Sequence, residues 1–509
     1  MTAAPSDAGV TNRDLAKGLG TTLLARLGGV IDVISQPVYV WLFGLASYGL
    51  YAVLWATINL VENIADLGMT SSLQRVVPQA KDERAATAAL RSALLLGVIP
   101  CLVIAAAASL LAPHVAPIFN VAPSDQGVLV ESIRLFAWAL PLWAFVEIST
   151  SALRARRVFG AEIRLRIFWE QIIRLLLAIC FYAMGFGIVG LFMAHIISLA
   201  LICLLSIRLL ARNYDLRHLT HGPLIDPMFL ETLRAGLAML PNNILGRLFG
   251  DAPPIVLNAL IPGAGGATAA ALYTIARKIS SIVQLVRQSF GYVLAPLASL
   301  AARGGKDEVI PLYAFATRLI FAIAVPLGAV MAGGGEAFLG LFGRDAHAAH
   351  AALVILISAR MVEAVFGSAV SVQQVVGGYR AQIVASAIGL CATVAVGWPL
   401  VTHYGLTGMA LATGIGFIVT ALAPLIQLHR YDSIHPMEAP FTRVALMSML
   451  LSVPGLLIAV VASKLQPAVL QLPVVVVVTL ATVWINCRFA LPLQDRQALG
   501  KTARKLKLI

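Results

Sequence analysis

The sequence predicts an all-α, polytopic membrane protein of about fourteen spanning helices, with both termini on the cytoplasmic side. Three observations lead there. Of 509 residues, 59% are hydrophobic and only 12% charged, with a mean hydropathy of +0.88, whereas a soluble domain carries about 25% charged residues. Apolar runs of spanning length, about 20 residues each, follow one another along nearly the whole chain. The basic residues between those runs alternate in density from one connection to the next.

In order, the runs predict helices near 19–42, 47–67, 86–112, 128–152, 167–185, 187–207, 229–260, 267–299, 309–333, 349–375, 382–402, 405–429, 444–463 and 472–487. Short connections leave no room for a separate soluble domain. The first run follows nearly twenty polar residues without a small-residue cleavage site, so no cleaved signal peptide is expected. The cysteines Cys101, Cys180, Cys203, Cys391 and Cys487 all fall inside apolar runs, where they read as small packing residues and not as disulfides or metal ligands.

Placing the N-terminus inside puts 24 of the 37 Lys and Arg in inner connections and tails, and only Arg344 and Lys464 in outer ones. That is the asymmetry the positive-inside rule requires of short loops. The net charge of +13 is therefore a topology signal, and no nucleic-acid partner is expected. The loop LRARRVFGAEIRLR (153–166) and the tail KTARKLKLI are expected to contact anionic lipid of the inner leaflet.

An offset of 218 aligns GIVGLFMA, from Gly187, with GLTGMALA, from Gly405, each opening a helix on the outer side; the same offset aligns Gly160 with Gly378. Two matches at one offset, in equivalent topological places, predict two copies of a six-helix unit. An even number of spans gives both copies one orientation, so they should relate by a pseudo-twofold axis along the membrane normal. The expected division is residues 1–228 for the N-terminal lobe, 229–430 for the C-terminal lobe, and 431–509 for two accessory helices and a basic tail. This is a two-lobed transporter plan.

An ionised residue at a helix centre costs about 2.5 to 3.5 kcal/mol on insertion scales, so it normally faces a partner or an aqueous cavity. The spans hold eleven basic residues and eight acidic ones. Helical spacing suggests local pairs for Glu170 with Arg174, Arg247 with Asp251, Glu131 with Arg134 and Arg360 with Glu363. Arg91 and Arg234 lie near enough to the inner surface to snorkel. The candidate substrate-binding residues that remain are Arg26, Arg247, Arg277, Lys278, Arg287 and Arg318. The excess of positive charge favours an anionic substrate, and the planar arginine fork suits phosphate oxygens. Arg277 and Arg287 stand ten residues apart, about 15 Å along a helix, and could hold one phosphate group in succession. Glu62 and Asp66, four apart and of like charge, are candidates for coupling to a proton or sodium gradient, with Asp251 beside them; the alternative is that they answer Arg26 and Arg91. No catalytic residues, metal ligands or cofactor are expected.

The segment LFGLASYGLYAVLWATINLVENIADLGMTSSLQRVV resembles the opening of bacterial polysaccharide flippases, where a G-x-x-x-Y-G-x-Y turn into the second helix is followed by D-L-G before a basic residue. ALYTIARKISSIVQLVRQSFGYVLAPLAS is similar to the matching segment of their eighth helix, and HYGLTGMALATGIG to the start of their twelfth. The resemblance covers most of the first twelve spans. It implies the multidrug/oligosaccharidyl-lipid/polysaccharide exporter superfamily, whose members alternate access between two six-helix lobes. Within it, polysaccharide flippases of the bacterial inner membrane move polyprenyl-diphosphate-linked oligosaccharide for surface polysaccharide biosynthesis. Lipid II flippases, also related, have fourteen helices and basic cavity residues; Arg26, Arg247, Arg277 and Arg287 occupy comparable helices here without a strict motif.

The expected function is therefore that of a flippase for a lipid-linked oligosaccharide, with anionic lipids and other polysaccharide assembly proteins as further partners. The alternatives are a multidrug or organic-cation exporter, which should prefer an acidic cavity, and a membrane polysaccharide polymerase or glycosyltransferase, which needs a sizeable outer loop or an interfacial acidic site. The longest outer connections, near 113–127 and 334–348, hold few ionisable residues.

Overall fold

The computed structural model describes residues 29–158, 163–221, 223, 226–376, 379–437 and 439–509. Arg26, Gly160 and Gly378 lie outside the described residues. Those described form helices and connections, with no strand among them.

The main helices are α1 (Gly29–Phe43), α2 (Leu45–Ala65), α3 (Met69–Val76), α4 (Glu83–Leu110), α5 (Leu129–Phe136), α6 (Ala139–Ala155), α7 (Glu170–Ala183) and α8 (Gly187–Asn213). They continue as α9 (Pro227–Leu260), α10 (Ala264–Ala301), α11 (Val309–Gly333), α12 (His350–Phe366), α13 (Ala369–Val376), α14 (Tyr379–Asp432), α15 (Ala439–Ala462) and α16 (Gln471–Phe489). Among the described residues, helices stand at all fourteen expected spans in order, the first from Gly29 onward. Spans four and ten are each broken in two (α5 with α6, α12 with α13), and spans eleven and twelve run together as α14. Among the described residues, eight helical stretches meet the length and hydropathy of a membrane crossing by themselves, and the chain is a multi-pass membrane protein.

Gly405 bends α14 with φ 52° and ψ −122°, and Gly187, which the 218-residue offset aligns with it, has φ 54° at the opening of α8. Both positions need the left-handed backbone region that glycine enters without steric cost.

Contacts divide the chain into two compact units, Leu27–Ile275 with Tyr404–Leu406, and Ala276–His403 with Thr407–Ile509. The packing boundary falls inside α10, whereas the boundary expected from the sequence lies at 228/229. The reason is close backbone approach in the first unit. A Cβ on Gly68 would run into the backbone of Gly236 on α9, and one on Gly49 would run into the carbonyl of Ala267. Glycine therefore lets α9 and the start of α10 lie against α2 and the α2–α3 turn.

In the first unit α2 is buried on most of its faces. Its end is set by Asp66, whose carboxylate accepts the N–H of Gly68 at 2.7 Å and the N–H and hydroxyl of Thr70 at 3.2 and 2.9 Å. Leu67 and Gly68 take positive φ there, and α3 starts. Asp226 caps α9 by accepting the N–H of Phe229 at 2.9 Å, and its other oxygen holds Arg91 at 2.6 Å. In the second unit α11 is the buried helix, packed mainly on α15, α16 and α12. The opposite faces of α15 and α16 expose Leu446, Leu450, Leu457, Val477 and Leu480, a surface suited to lipid.

Candidate functional site

Each unit brings buried charges together. In the first, a stretch of π-helix, Ile163–Trp169, leads into α7, and such wide turns often mark functional positions. It directs Arg166 to Glu147 on α6 through two parallel hydrogen bonds, Nη1 to Oε2 at 3.0 Å and Nη2 to Oε1 at 2.8 Å. The guanidinium also lies 4.5 Å from the centre of the Trp143 ring, one turn earlier on α6. Arg247 approaches the same carboxylate at 3.5 Å. Glu62, only 3% exposed, has Glu147, Asp66, Arg247 and Arg166 as its charged neighbours. Among the described residues, its carboxylate makes no hydrogen bond or ion pair.

The second unit centres on Glu363. It receives Arg360, three residues before it, at 2.5 Å and Arg287 of α10 at 3.2 Å. Arg360 also lies over the Phe417 ring, 3.7 Å from its centre. Arg287 and Glu363 line a cleft of about 540 Å³ with Gln382, Ser386 and Thr420.

Arg277, half-buried on α10, has no hydrogen-bond or ion-pair partner for its guanidinium among the described residues, and its Nε is buried and unsatisfied. Lys278, next in sequence, is engaged by a partner.

Several sequence expectations change here. Arg318 is not free: Asp495, in a short helix after the last span, grips it with Nε to Oδ2 at 2.7 Å and Nη2 to Oδ1 at 2.9 Å. Asp66 is spent on the α2–α3 turn, leaving Glu62 alone as an uncommitted carboxylate. Arg91 answers Asp226, not the Glu62–Asp66 pair. Arg247 bridges to Glu147 and not to Asp251, while Glu170 and Arg174 do pair, at 3.1 Å. The two cases differ in order, because an acid N-terminal to a base is the better orientation at i, i+4. Glu131 and Arg134 are both exposed, and neither forms an ion pair among the described residues. Arg26 lies outside the described residues.

Arg166, Asp495 and His195 escaped the sequence reading. His195 is fully buried; its Nδ1 contacts the Tyr51 hydroxyl at 3.0 Å, and Arg174 donates to its Nε2 at 3.0 Å. The cap at Asp66 had a signal, since Asp-Leu-Gly followed by Thr70 is the pattern of an Asx turn opening a helix.

A family model described as polysaccharide biosynthesis protein matches residues 41–343, more than half of the chain. The chain belongs to the polysaccharide biosynthesis protein family. No curated protein sequence matches this family member. Among solved structures it is similar to the lipid II flippase MurJ in an inward closed conformation, 12% identical, with a TM-score of 0.69 over 92% of this chain and 98% of that one. It is also similar to the Vibrio cholerae MATE transporter VcmN in the bent form, 18% identical, with a TM-score of 0.56 over 82% of this chain and 96% of that one. An outward-facing multidrug resistance MATE family transporter of the MOP superfamily is 20% identical, with a TM-score of 0.59 over 84% and 99% of the two chains. The family member thus shares the all-α fold of these structures.

Proposed function

We propose that this chain is a flippase that moves polyprenyl-diphosphate-linked oligosaccharide across the bacterial inner membrane by alternating access, for surface polysaccharide biosynthesis. Both termini are cytoplasmic in this reading. The lipid tail stays in the bilayer while the anionic head group crosses along basic side chains. The chain transports and does not catalyse, and it needs no cofactor. Anionic lipids and other polysaccharide assembly proteins are its further partners.

The observation that carries the reading is the guanidinium of Arg277, which has no hydrogen-bond or ion-pair partner among the described residues. A half-buried guanidinium within the membrane calls for a counter-charge or water, and a phosphate would supply that charge in the geometry the guanidinium fork matches. Arg287 adds to it, because two guanidinia share the single carboxylate of Glu363.

Arg277→Ala should abolish surface polysaccharide while the protein still inserts, with lipid-linked precursor accumulating on the inner side; Arg277→Lys should keep part of the activity. Normal polysaccharide in both Arg277→Ala and Arg287→Ala cells would overturn the reading. Glu62 is the place for a coupling proton or sodium ion, being a buried carboxylate without a bonded partner among the described residues. Transport into vesicles with and without each imposed gradient tests this, and gradient-independent transport would sink it.

A further inference from the structure

The first unit holds a second cleft, of about 650 Å³, built by other residues than the Glu62–Glu147 cluster. Its walls come from the end of α1, the first turn of α2, the segment before α5 and the α7–α8 turn, including Phe43, Ser47, Ser124, Asp125, Tyr182 and Phe186. In the proposed orientation all of these connections lie on the outer side.

Asp125 is the polar centre. It is 4% exposed. The Ser47 hydroxyl donates to its Oδ1 at 3.0 Å and Oδ2 at 2.8 Å, and the Ser124 hydroxyl to Oδ1 at 3.3 Å. No Lys, Arg or His forms an ion pair with it among the described residues. Ser47 belongs to the first turn of α2, the positive end of that helix. A carboxylate has about four lone-pair positions, and two hydroxyls leave acceptor capacity open.

Around this acceptor stand aromatic rings. Phe43 and Tyr182 meet edge to face, with centroids 5.5 Å apart, and Tyr182 and Phe186 are 44% and 43% exposed. Flat apolar faces beside one oriented acceptor are the combination that fixes a small polar ring in a pocket. The C–H face of a sugar lies on an aromatic ring while its hydroxyls donate to the carboxylate. A diphosphate is disfavoured here, since Asp125 repels it and no basic residue among those described lines the cleft. A hydrocarbon chain has no use for a buried carboxylate.

We propose that this cleft is a glycan subsite, in which Asp125, Tyr182 and Phe186 hold a neutral sugar residue of the transported molecule, apart from the diphosphate. The proposal rests on the flippase reading. In it, one molecule meets two chemistries, guanidinium for the phosphates and carboxylate with aromatic rings for the sugars.

The probe is the oligosaccharide released by mild acid from the host cell's own lipid-linked precursor, which carries neither lipid nor phosphate. Its binding to the purified full-length protein is followed by calorimetry and by saturation-transfer NMR. Saturable binding to the wild type is expected. Asp125→Asn and Tyr182→Ala should each weaken it about tenfold, the loss of one charge-assisted hydrogen bond or a comparable contact. Ser47→Ala, which keeps the carboxylate, should weaken it less, and unfolding midpoints show whether each variant remains folded. Arg277→Ala should bind the free glycan normally. No saturable binding to the wild type, or undiminished binding to folded Asp125→Asn and Tyr182→Ala proteins, would overturn the subsite. So would Asp125-dependent binding of tetraphenylphosphonium without glycan binding, which would make the cleft a cation site. Asp125-dependent glycan binding alongside normal polysaccharide in Arg277→Ala and Arg287→Ala cells would instead remove the phosphate role and leave the subsite standing.

Discussion

Asp495, beyond the last spanning helix, holds the guanidinium of Arg318 in the middle of α11 through two parallel hydrogen bonds of 2.7 and 2.9 Å. The segment after α16 is thereby fixed to the second unit. Trp484 Nε1 donating to the Leu506 carbonyl at 2.7 Å and Arg496 donating to the Leu508 carbonyl at 2.9 Å hold the same tail. Its basic residues Arg504, Lys505 and Lys507 remain exposed, so the tail can meet anionic lipid as a folded element.

Breaking this pair from one side should be costly. Asp495→Ala leaves Arg318 buried and unpaired, with an expected loss of about 3 to 5 kcal/mol, whereas Arg318→Met combined with Asp495→Leu should recover most of it. Unfolding midpoints in detergent measure both. Equal stability of Asp495→Ala and wild type would show that the tail is not anchored through this contact.

Glu147 and Arg166 should behave as one unit. A double-mutant cycle with Glu147→Gln and Arg166→Gln should give a coupling energy of about 0.5 to 3 kcal/mol in unfolding stability, favourable in sign. Arg247→Gln, 3.5 Å from the same carboxylate and partly exposed, should couple more weakly to Glu147→Gln. Additive effects for Glu147 and Arg166 would mean that the two-point bridge is not formed.

Glu62 and Asp66 should separate cleanly, although they lie one turn apart. Asp66→Ala removes a helix cap, with an expected stability loss of about 1 kcal/mol, and should leave gradient-dependent transport in place. Glu62→Gln should keep stability and lose the gradient dependence. Vesicle transport and thermal unfolding of both variants decide, and the reverse assignment would refute this division of roles.

The Gly68–Gly236 approach predicts a steric penalty. Gly236→Ala would bring its Cβ onto the Leu67 carbonyl and the Met69 methyl, so a loss of about 1 to 3 kcal/mol is expected from overpacking. Gly246→Ala is the control, since nothing lies near its Cβ; it should be neutral or slightly stabilising because alanine is the better helix former.

Outside the membrane, Asp215 is held below the usual carboxylate range, first by its hydrogen bond with His218, at 2.7 Å, and also by the N–H of Arg217 at 2.9 Å. A lowered folded value means a contribution that is present above the unfolded pKa of about 4 and lost as pH falls through the lower folded value. Hydrogen exchange of Leu216–His221 should therefore rise in that acid window, slightly, because the pair is exposed. Asp215→Asn should remove the pH dependence.

The spans were legible because a bilayer demands length and apolarity from each one separately, and fourteen expected runs became helices in the expected order. The two glycines that the 218-residue offset aligns, Gly187 and Gly405, share a positive φ. Pairs within one helix were readable in part: Glu170 with Arg174 and Arg360 with Glu363 form as their spacing suggests, whereas Arg247 turns to Glu147 instead of Asp251.

What the sequence by itself determined is what acts along one segment: insertion, span number, caps and i, i+4 neighbours. Tertiary structure alone decided which arginines are spent. Arg318 found Asp495 across 177 positions, Arg166 found Glu147 from a connection, and Arg277 found no partner among the described residues. Coulomb attraction inside a low-dielectric interior rewards whichever opposite charge packing brings within about 4 Å, and sequence distance does not enter that energy. The fourteen helices follow from local hydropathy, while the remaining charge on Arg277 is a property of the folded chain.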